Sequence, residues 1–278
     1  MKKWILILSL LLLGCSQTPT SQPAADQPRA QIEVTVVVPA RSSEPALPAG
    51  PISLVALGDS LTLGEGDEAG FGYPGRLLAF VNEFRPGSTM TNLGQSGWTS
   101  DALINGDQGI ESQLDRATLE LESAASEGRG AVAFVWIGSN DLWYLYEFGE
   151  GSDENDLADI NHFLSNITTI LARLRETGAV VVVALLDDQS KRPVARRGEA
   201  FTGISGEELS RMSVQVDQYN GIIAVKAAQY GAILVDFYST EIFTNSATLD
   251  DDGIHPNQVG YGLITERWLD ALAPFLLQ

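Results

Sequence analysis

A serine becomes a nucleophile when a base that titrates near neutral pH can take its proton, and the chain holds only two histidines, His162 and His255. Ser60 is the candidate nucleophile. It closes Gly58-Asp59-Ser60, a polar turn that stops the apolar run Ile52 to Leu57; the other reading of that tripeptide is a plain turn. His162 falls in a helical pattern, opposite its leucine and isoleucine stripe, and reads as a surface residue. His255 stands instead in Asp252-Gly253-Ile254-His255-Pro256, after the last apolar run and before the last helical pattern. Asp252 precedes it by three residues, a spacing at which one turn brings a carboxylate to imidazole Nδ1 and leaves Nε2 free to accept a proton. Solvated turn acids are the alternative. A calcium loop fails, because Thr248 and Val259 occupy the places of its first ligand and its bidentate glutamate.

Attack of a serine on an acyl carbonyl builds negative charge on oxygen, which preorganised N–H groups stabilise. Two segments offer such groups, Asn92-Leu93-Gly94-Gln95-Ser96-Gly97 and Gly138-Ser139-Asn140-Asp141. Each taken singly is also ordinary turn chemistry.

Segments so far apart meet only if the fold gathers them. Apolar runs at Ile52 to Leu57, Ser88 to Leu93, Ala131 to Ile137, Ala179 to Leu186 and Ala232 to Phe237 alternate with helical patterns near 74–85, 100–127, 157–177, 206–230 and 257–276. That alternation predicts parallel β-α units wound by right-handed crossovers into a three-layer α/β/α sandwich. Every candidate segment then lies at a strand's carboxyl end, the edge where open α/β sheets do chemistry. Two helices are written clearly. Ser205 to Glu208 is a capping box ahead of Leu209, Met212, Val216, Tyr219 and Ile223, and Asp156 is a plausible N-cap for the stripe Leu157, Ile160, Leu164, Ile167, Leu171 and Leu174.

Taken in order and spacing, Gly58-Asp59-Ser60-Leu61, the 92–97 block, Gly138-Ser139-Asn140-Asp141 and Asp252 to Pro256 resemble the motif blocks of the GDSL, or SGNH, hydrolases, over residues 52 to 276. The resemblance implies a flavodoxin-like, five-stranded parallel sheet of order 2-1-3-4-5. It makes Ser60 the nucleophile, His255 the general base and then acid, and Asp252 its orienting partner. The oxyanion hole would be the Ser60 amide, the Gly97 amide and the Asn140 side chain, with Gly97 preferred to Gly94 because it lies five residues after Asn92. Trp98 departs from the pattern, where a smaller or acidic residue is common, and could narrow the pocket. Leu142 to Phe148 reads as an aromatic loop. Trp143 and Tyr146 either form an apolar wall for an acyl chain or aromatic alcohol, or fold over the core edge. The basic run Lys191 to Arg197 either meets an acidic substrate group or is a solvated loop.

The expected reaction is hydrolysis of carboxylic esters or thioesters through an acyl-enzyme, on small-molecule ester, lipid or acylated-sugar substrates. A carbohydrate O-deacetylase or O-acyltransferase on the same site is the alternative, and a non-catalytic surface-binding lipoprotein the reading from another class. No cofactor or metal is expected, since the serine mechanism needs none and metal ligands are few. Gly70 to Gly75 matches a dinucleotide fingerprint as a string but begins a dozen residues after the strand, and neither a Walker A sequence nor a Gly-x-Ser-x-Gly elbow around the candidate serines is found.

Composition bounds the rest. With 278 residues and 44% hydrophobic content the chain can build one large domain. A formal charge of −19 argues against nucleic acid as a partner, because no basic surface is available to replace phosphate counterions. The oligomeric state is left open by the sequence, with a monomer favoured. Lys2 and Lys3, the apolar run Trp4 to Leu13 and Gly14-Cys15 have the order of a secretory signal, too short to span a bilayer permanently. Leu12 to Cys15 resembles the lipobox of bacterial lipoproteins, which implies cleavage before the sole cysteine and lipid on Cys15. The expected division is a signal over 1–14, the lipidated cysteine and a Pro-rich tether over 15–51, and the hydrolase domain over 52–278. The protein is thus expected on a bacterial membrane, outside the cytoplasm. Gln31 to Val38 could add an edge strand to the body.

Overall fold

The computed structural model describes residues 47–149, 152–199 and 203–276. The expected signal segment, Cys15, most of the tether and the 31–38 strand lie outside the described residues.

In chain order the elements are β1 (Ile52–Gly58), α1 (Ser60–Leu63), α2 (Gly72–Phe84), β2 (Thr89–Asn92), α3 (Ser100–Asn105), α4 (Gln113–Ser126), β3 (Gly130–Trp136), α5 (Ser139–Phe148), α6 (Asp153–Glu176), β4 (Val180–Ala184), α7 (Pro193–Arg196), α8 (Gly206–Tyr230), β5 (Ile233–Val235) and α9 (Gln258–Leu276). Among the described residues the strands form one parallel sheet in the order β2-β1-β3-β4-β5. β1 and β3 form its spine, paired from Ile52↔Gly130 to Gly58↔Trp136, and every residue of β3 and β4 is buried. Those unbroken apolar runs are what a sheet covered on both faces requires. Helices α2 and α9 pack together, as do α6 and α8. The order is the flavodoxin-like one that the motif blocks implied.

An aromatic cluster holds the sheet to α2 and α9. Trp136 stacks on Phe237 with centroids 4.3 Å apart, and Tyr73 stacks on Trp268 at 5.3 Å. Leu47 is also buried in this core, and Arg85 Nη1 donates to the Pro48 carbonyl at 2.5 Å, so packing reaches ahead of β1.

The structure corrects the helix pattern in three places. The single helix expected over 100–127 is two, broken at Gly106, where an Asp107↔Ile110 bridge turns the chain. The aromatic segment after β3 is no loop but α5, its Leu142 and Tyr146 turned inward. Helix α6 starts earlier than expected, capped by Ser152, whose hydroxyl accepts from the Asn155 amide. Its buried stripe runs through Phe163, Asn166, Ile167, Ile170, Leu171 and Leu174, while Leu157 is exposed. Ser205 and Glu208 do form the capping box of α8.

Candidate active site

Four strand ends and one long loop build a single site at the carboxyl edge of the sheet. β1 ends on Gly58, and its peptide is gripped by Gln113: the amide donates to Gln113 Oε1 at 2.8 Å, and Gln113 Nε2 donates to the carbonyl at 2.9 Å. Asp59 then caps α1 by accepting from the Leu61 amide at 3.0 Å, which sets Ser60 at the first position of the helix. The first amides of a helix lack partners within it. Among the described residues, no protein group accepts from the Ser60 amide, nor from the Gly97 amide.

The loop from 250 to 257 brings His255 to Ser60. Its Nε2 lies 2.9 Å from Ser60 Oγ, and its Nδ1 lies 2.5 Å from Asp252 Oδ2. A carboxylate only accepts, so Nδ1 carries a proton, and in the neutral imidazole Nε2 then presents its lone pair to the serine hydroxyl. The other oxygen of Asp252 accepts from the Ile254 and His255 amides, at 2.7 and 2.9 Å. Burial works against this charge, but the hydrogen bonds from His255 and from the two amides outweigh it and hold Asp252 below the usual carboxylate range. The three residues expected to act together are therefore in contact. His162 is exposed, beside Asp101 on the α6 surface.

Gly97 has φ +74°, in the left-handed region that favours glycine, and a side chain there would meet the Tyr144 hydroxyl. Tyr144 Oη donates to the Gly97 carbonyl at 3.0 Å, and Asn140 Nδ2 donates to the Trp98 carbonyl at 3.0 Å. Asn140 is buried, and its amide nitrogen has a second proton beyond the one given to Trp98. Gly94 packs against the α1 backbone so closely that a side chain there would come within 2.3 Å of Leu63 N, and so serves close approach to α1.

The proposed pocket residues are placed differently from one another. Trp98 is buried in the main core and contributes its carbonyl to the site. Tyr146 is buried in a second apolar cluster with Ala195, Ile204 and Met212, and Trp143 packs against that cluster with its indole donating to Glu147 at 2.9 Å. Helical geometry explains the outcome, since residues three apart share one face of α5 and that face meets α8. Tyr144, on the other side, is exposed, and its ring lies tilted 46° to that of Phe148 with centroids 5.6 Å apart.

Burial shapes the electrostatics. It pushes Asp59 up to about 7 and Asp141 up to about 6, although Asp141 accepts from both the amide and the hydroxyl of Ser100. The basic run resolves into neither of its expected roles at Arg192. That guanidinium is buried, bidentate to Asp187 at 2.9 and 2.8 Å, and donates to the Ile254 carbonyl at 3.0 Å, one residue before His255.

Two contributors had no legible signal, Gln113 and Glu65, while Arg192 was legible only as part of the basic run. Glu65 Oε2 lies 3.2 Å from His255 Nε2. Only the turn after α1, which returns the Glu65 amide to the Ser60 carbonyl at 3.1 Å, carries it there.

A parallel α/β/α sandwich with a serine, a histidine and a carboxylate in line at its carboxyl edge defines the SGNH hydrolase class of fold. The GDSL-like lipase/acylhydrolase family matches residues 56–263, and the chain belongs to that family. It is a carboxylic ester hydrolase. No curated protein matches the chain in sequence. Among solved structures it is similar to the psychrotrophic esterase EstA from Pseudoalteromonas sp., at 17% identity and TM-score 0.54, covering 81% of this chain and 99% of that one. The acetyl xylan esterase Axe2 from Geobacillus stearothermophilus follows at 19% identity and TM-score 0.52, covering 80% and 95%. A family 3 carbohydrate esterase from Clostridium thermocellum has 17% identity and TM-score 0.52, covering 82% and 98%. At these identities the likeness concerns the fold.

Proposed function

We propose that the chain cleaves carboxylic esters through an acyl-enzyme on Ser60. One observation carries the reading: Ser60 Oγ, His255 and Asp252 form a continuous line of contacts of 2.9 and 2.5 Å. Ser60 Oγ attacks the acyl carbon as its proton passes to His255 Nε2, and the imidazolium is held by Asp252 at Nδ1. The carbonyl oxygen becomes an anion, received by the Ser60 and Gly97 amides and the spare Asn140 proton. The bond to the leaving oxygen then breaks as Nε2 returns the proton to that oxygen. Water repeats the sequence on the acyl-serine, with His255 as base, and frees the acid.

Thioesters suit the same steps. Two of the similar structures are described as an acetyl xylan esterase and a carbohydrate esterase, which favours acylated sugars as a second substrate class. An acyltransferase differs only in that a sugar hydroxyl replaces water. The lipobox reading supports a mature protein held to a bacterial membrane through lipid on Cys15, which mass spectrometry of the amino-terminal peptide tests.

The deciding assay compares the full-length protein with Ser60→Ala on 4-nitrophenyl esters of increasing acyl length, on acetylated xylan, and with a fluorophosphonate probe. Turnover and labelling by wild type alone are expected. Equal inactivity of both on every ester, with no labelling, removes the proposal.

A further inference from the structure

The hydrolytic steps above use one face of His255 Nε2 for Ser60, yet a second side chain stands at the same atom. Glu65 Oε2 is 3.2 Å from Nε2, against 2.9 Å for Ser60 Oγ. Its place is built in. Gly66, at φ +81°, presses on the histidine loop so closely that a side chain there would come within 2.6 Å of the Pro256 carbonyl and 2.9 Å of His255 Cβ. From the other side Tyr261 Oη donates to the Glu65 carbonyl at 2.8 Å. Among the described residues the Glu65 carboxylate has no Lys or Arg partner, and its side chain is 36% exposed.

The position matters because of what Nε2 must do. To expel the alcohol, the bond between acyl carbon and leaving oxygen breaks and the Nε2 proton goes to that oxygen, which must approach within about 3 Å of Nε2. The alcohol half of the substrate therefore enters next to Glu65. A hydroxyl on the carbon next to the one that bears the leaving oxygen, staggered gauche to that oxygen, can span from it to the carboxylate and donate to it. An alkyl group there would cover an ionised carboxylate and give nothing back. An anionic group would meet Glu65 together with Asp250, whose Cβ lies in the same contact with Gly66, and the exposed Asp251 and Asp252.

We infer that Glu65 is a specificity-determining residue, which selects esters of polyhydroxylated alcohols, such as sugars or glycerol, by accepting a hydrogen bond from the hydroxyl next to the scissile ester. This rests on the esterase reading of Ser60 and His255. It assigns the alcohol side of the site, for which the apolar residues Trp143 and Tyr146 offered nothing.

The test is a substrate pair that differs by one donor. Full-length wild type, Glu65→Ala and Glu65→Gln are assayed on 2-hydroxyethyl acetate and on 2-methoxyethyl acetate, with acetylcholine as a cation that has no donor. Wild type is expected to favour the hydroxyl ester over the methyl ether roughly tenfold in kcat/KM, the worth of one hydrogen bond to a charged group. The ratio should fall to within about twofold of one in Glu65→Ala, and to an intermediate value in Glu65→Gln, which keeps an acceptor without the charge. Equal rates on the pair in wild type, or an undiminished preference in both variants, overturn the inference; so does a preference for acetylcholine, which would mean that charge alone is read. 4-Nitrophenyl acetate separates the two levels. If wild type cleaves it and Ser60→Ala does not, any failure above belongs to Glu65 alone; if neither cleaves any ester, the esterase reading falls and takes this inference with it.

Discussion

Asn140 and Tyr144, one helical turn apart on α5, donate to successive carbonyls, those of Trp98 and Gly97, at 3.0 Å each. The two donors dock the turn after β2 onto the helix after β3, and so hold the backbone at Gly97, whose amide is proposed to share the oxyanion with that of Ser60. An oxyanion hole is effective only if its donors are fixed before charge develops.

That relationship predicts a graded loss. Asn140→Ala removes a donor and a strut together, and should lower kcat by about 100- to 1000-fold. Tyr144→Phe removes only the strut, and should lower kcat about tenfold with little change in KM, since the interaction lost serves the transition state. Burial first, then the charges of Asp107 and Asp59, push the Tyr144 phenol above its ordinary value, so it stays a donor in the assay range. Steady-state kinetics on one short ester checks both, and an equal rise of KM would place Tyr144 in substrate binding instead.

Asp252→Asn isolates the orienting carboxylate. The amide oxygen can still accept from the Ile254 and His255 amides, so the loop should hold its shape. An amide nitrogen facing Nδ1 favours the wrong tautomer, and kcat should fall by about 10,000-fold. Circular dichroism should match wild type; a tenfold loss or less would mean that Asp252 does not set the tautomer.

The Arg192 and Asp187 pair is buried on both sides. Arg192→Met leaves a buried carboxylate unpaired and is expected to cost about 3–5 kcal/mol, whereas the double change with Asp187→Leu should regain most of it. Chemical denaturation of the four proteins measures the coupling. Activity of the single variant should fall as well, because the Ile254 carbonyl beside His255 loses its donor.

Asp59 gives a pH dependence whose sign is fixed by burial. Its value in the fold is about 7 against 3.8 for the free side chain, so the folded state binds the extra proton and loses stability as pH rises from about 4 to about 7. Asp59→Asn keeps an acceptor for the Leu61 amide and cannot ionise. It should gain up to about 4 kcal/mol over wild type at pH 8 and nothing at pH 4, read from denaturation midpoints. A constant difference at both pH values would show that ionisation is not the cause.

Much of this was written in local pattern. β3 and β4 are unbroken apolar runs, the capping box at Ser205 and Glu208 is a four-residue signal, and the only histidine outside a helical pattern is the one that meets Ser60. Such features depend on neighbours in the chain, so they survive without coordinates. The aromatic segment after β3 left two readings open because its residue types are those of a pocket, while its spacing also suits a helix; packing chose the helix and buried Tyr146, with Trp143 against it, in an apolar cluster with Met212 of α8.

By itself the sequence determined the parallel α/β/α architecture and, through the motif resemblance, the candidates Ser60, Asp252, His255 and Asn140, of which the fold brings the first three into contact, because residue type, strand-end position and motif spacing are local. Tertiary structure alone decided which other side chains face that set. Gln113 grips Gly58 across 55 residues, Arg192 reaches the histidine loop across 62, and Glu65 shares Nε2 with a serine of its own turn only because Gly66 rests on a loop nearly two hundred residues away. Contacts of that kind follow from crossover and packing geometry, to which a single stretch of sequence is blind.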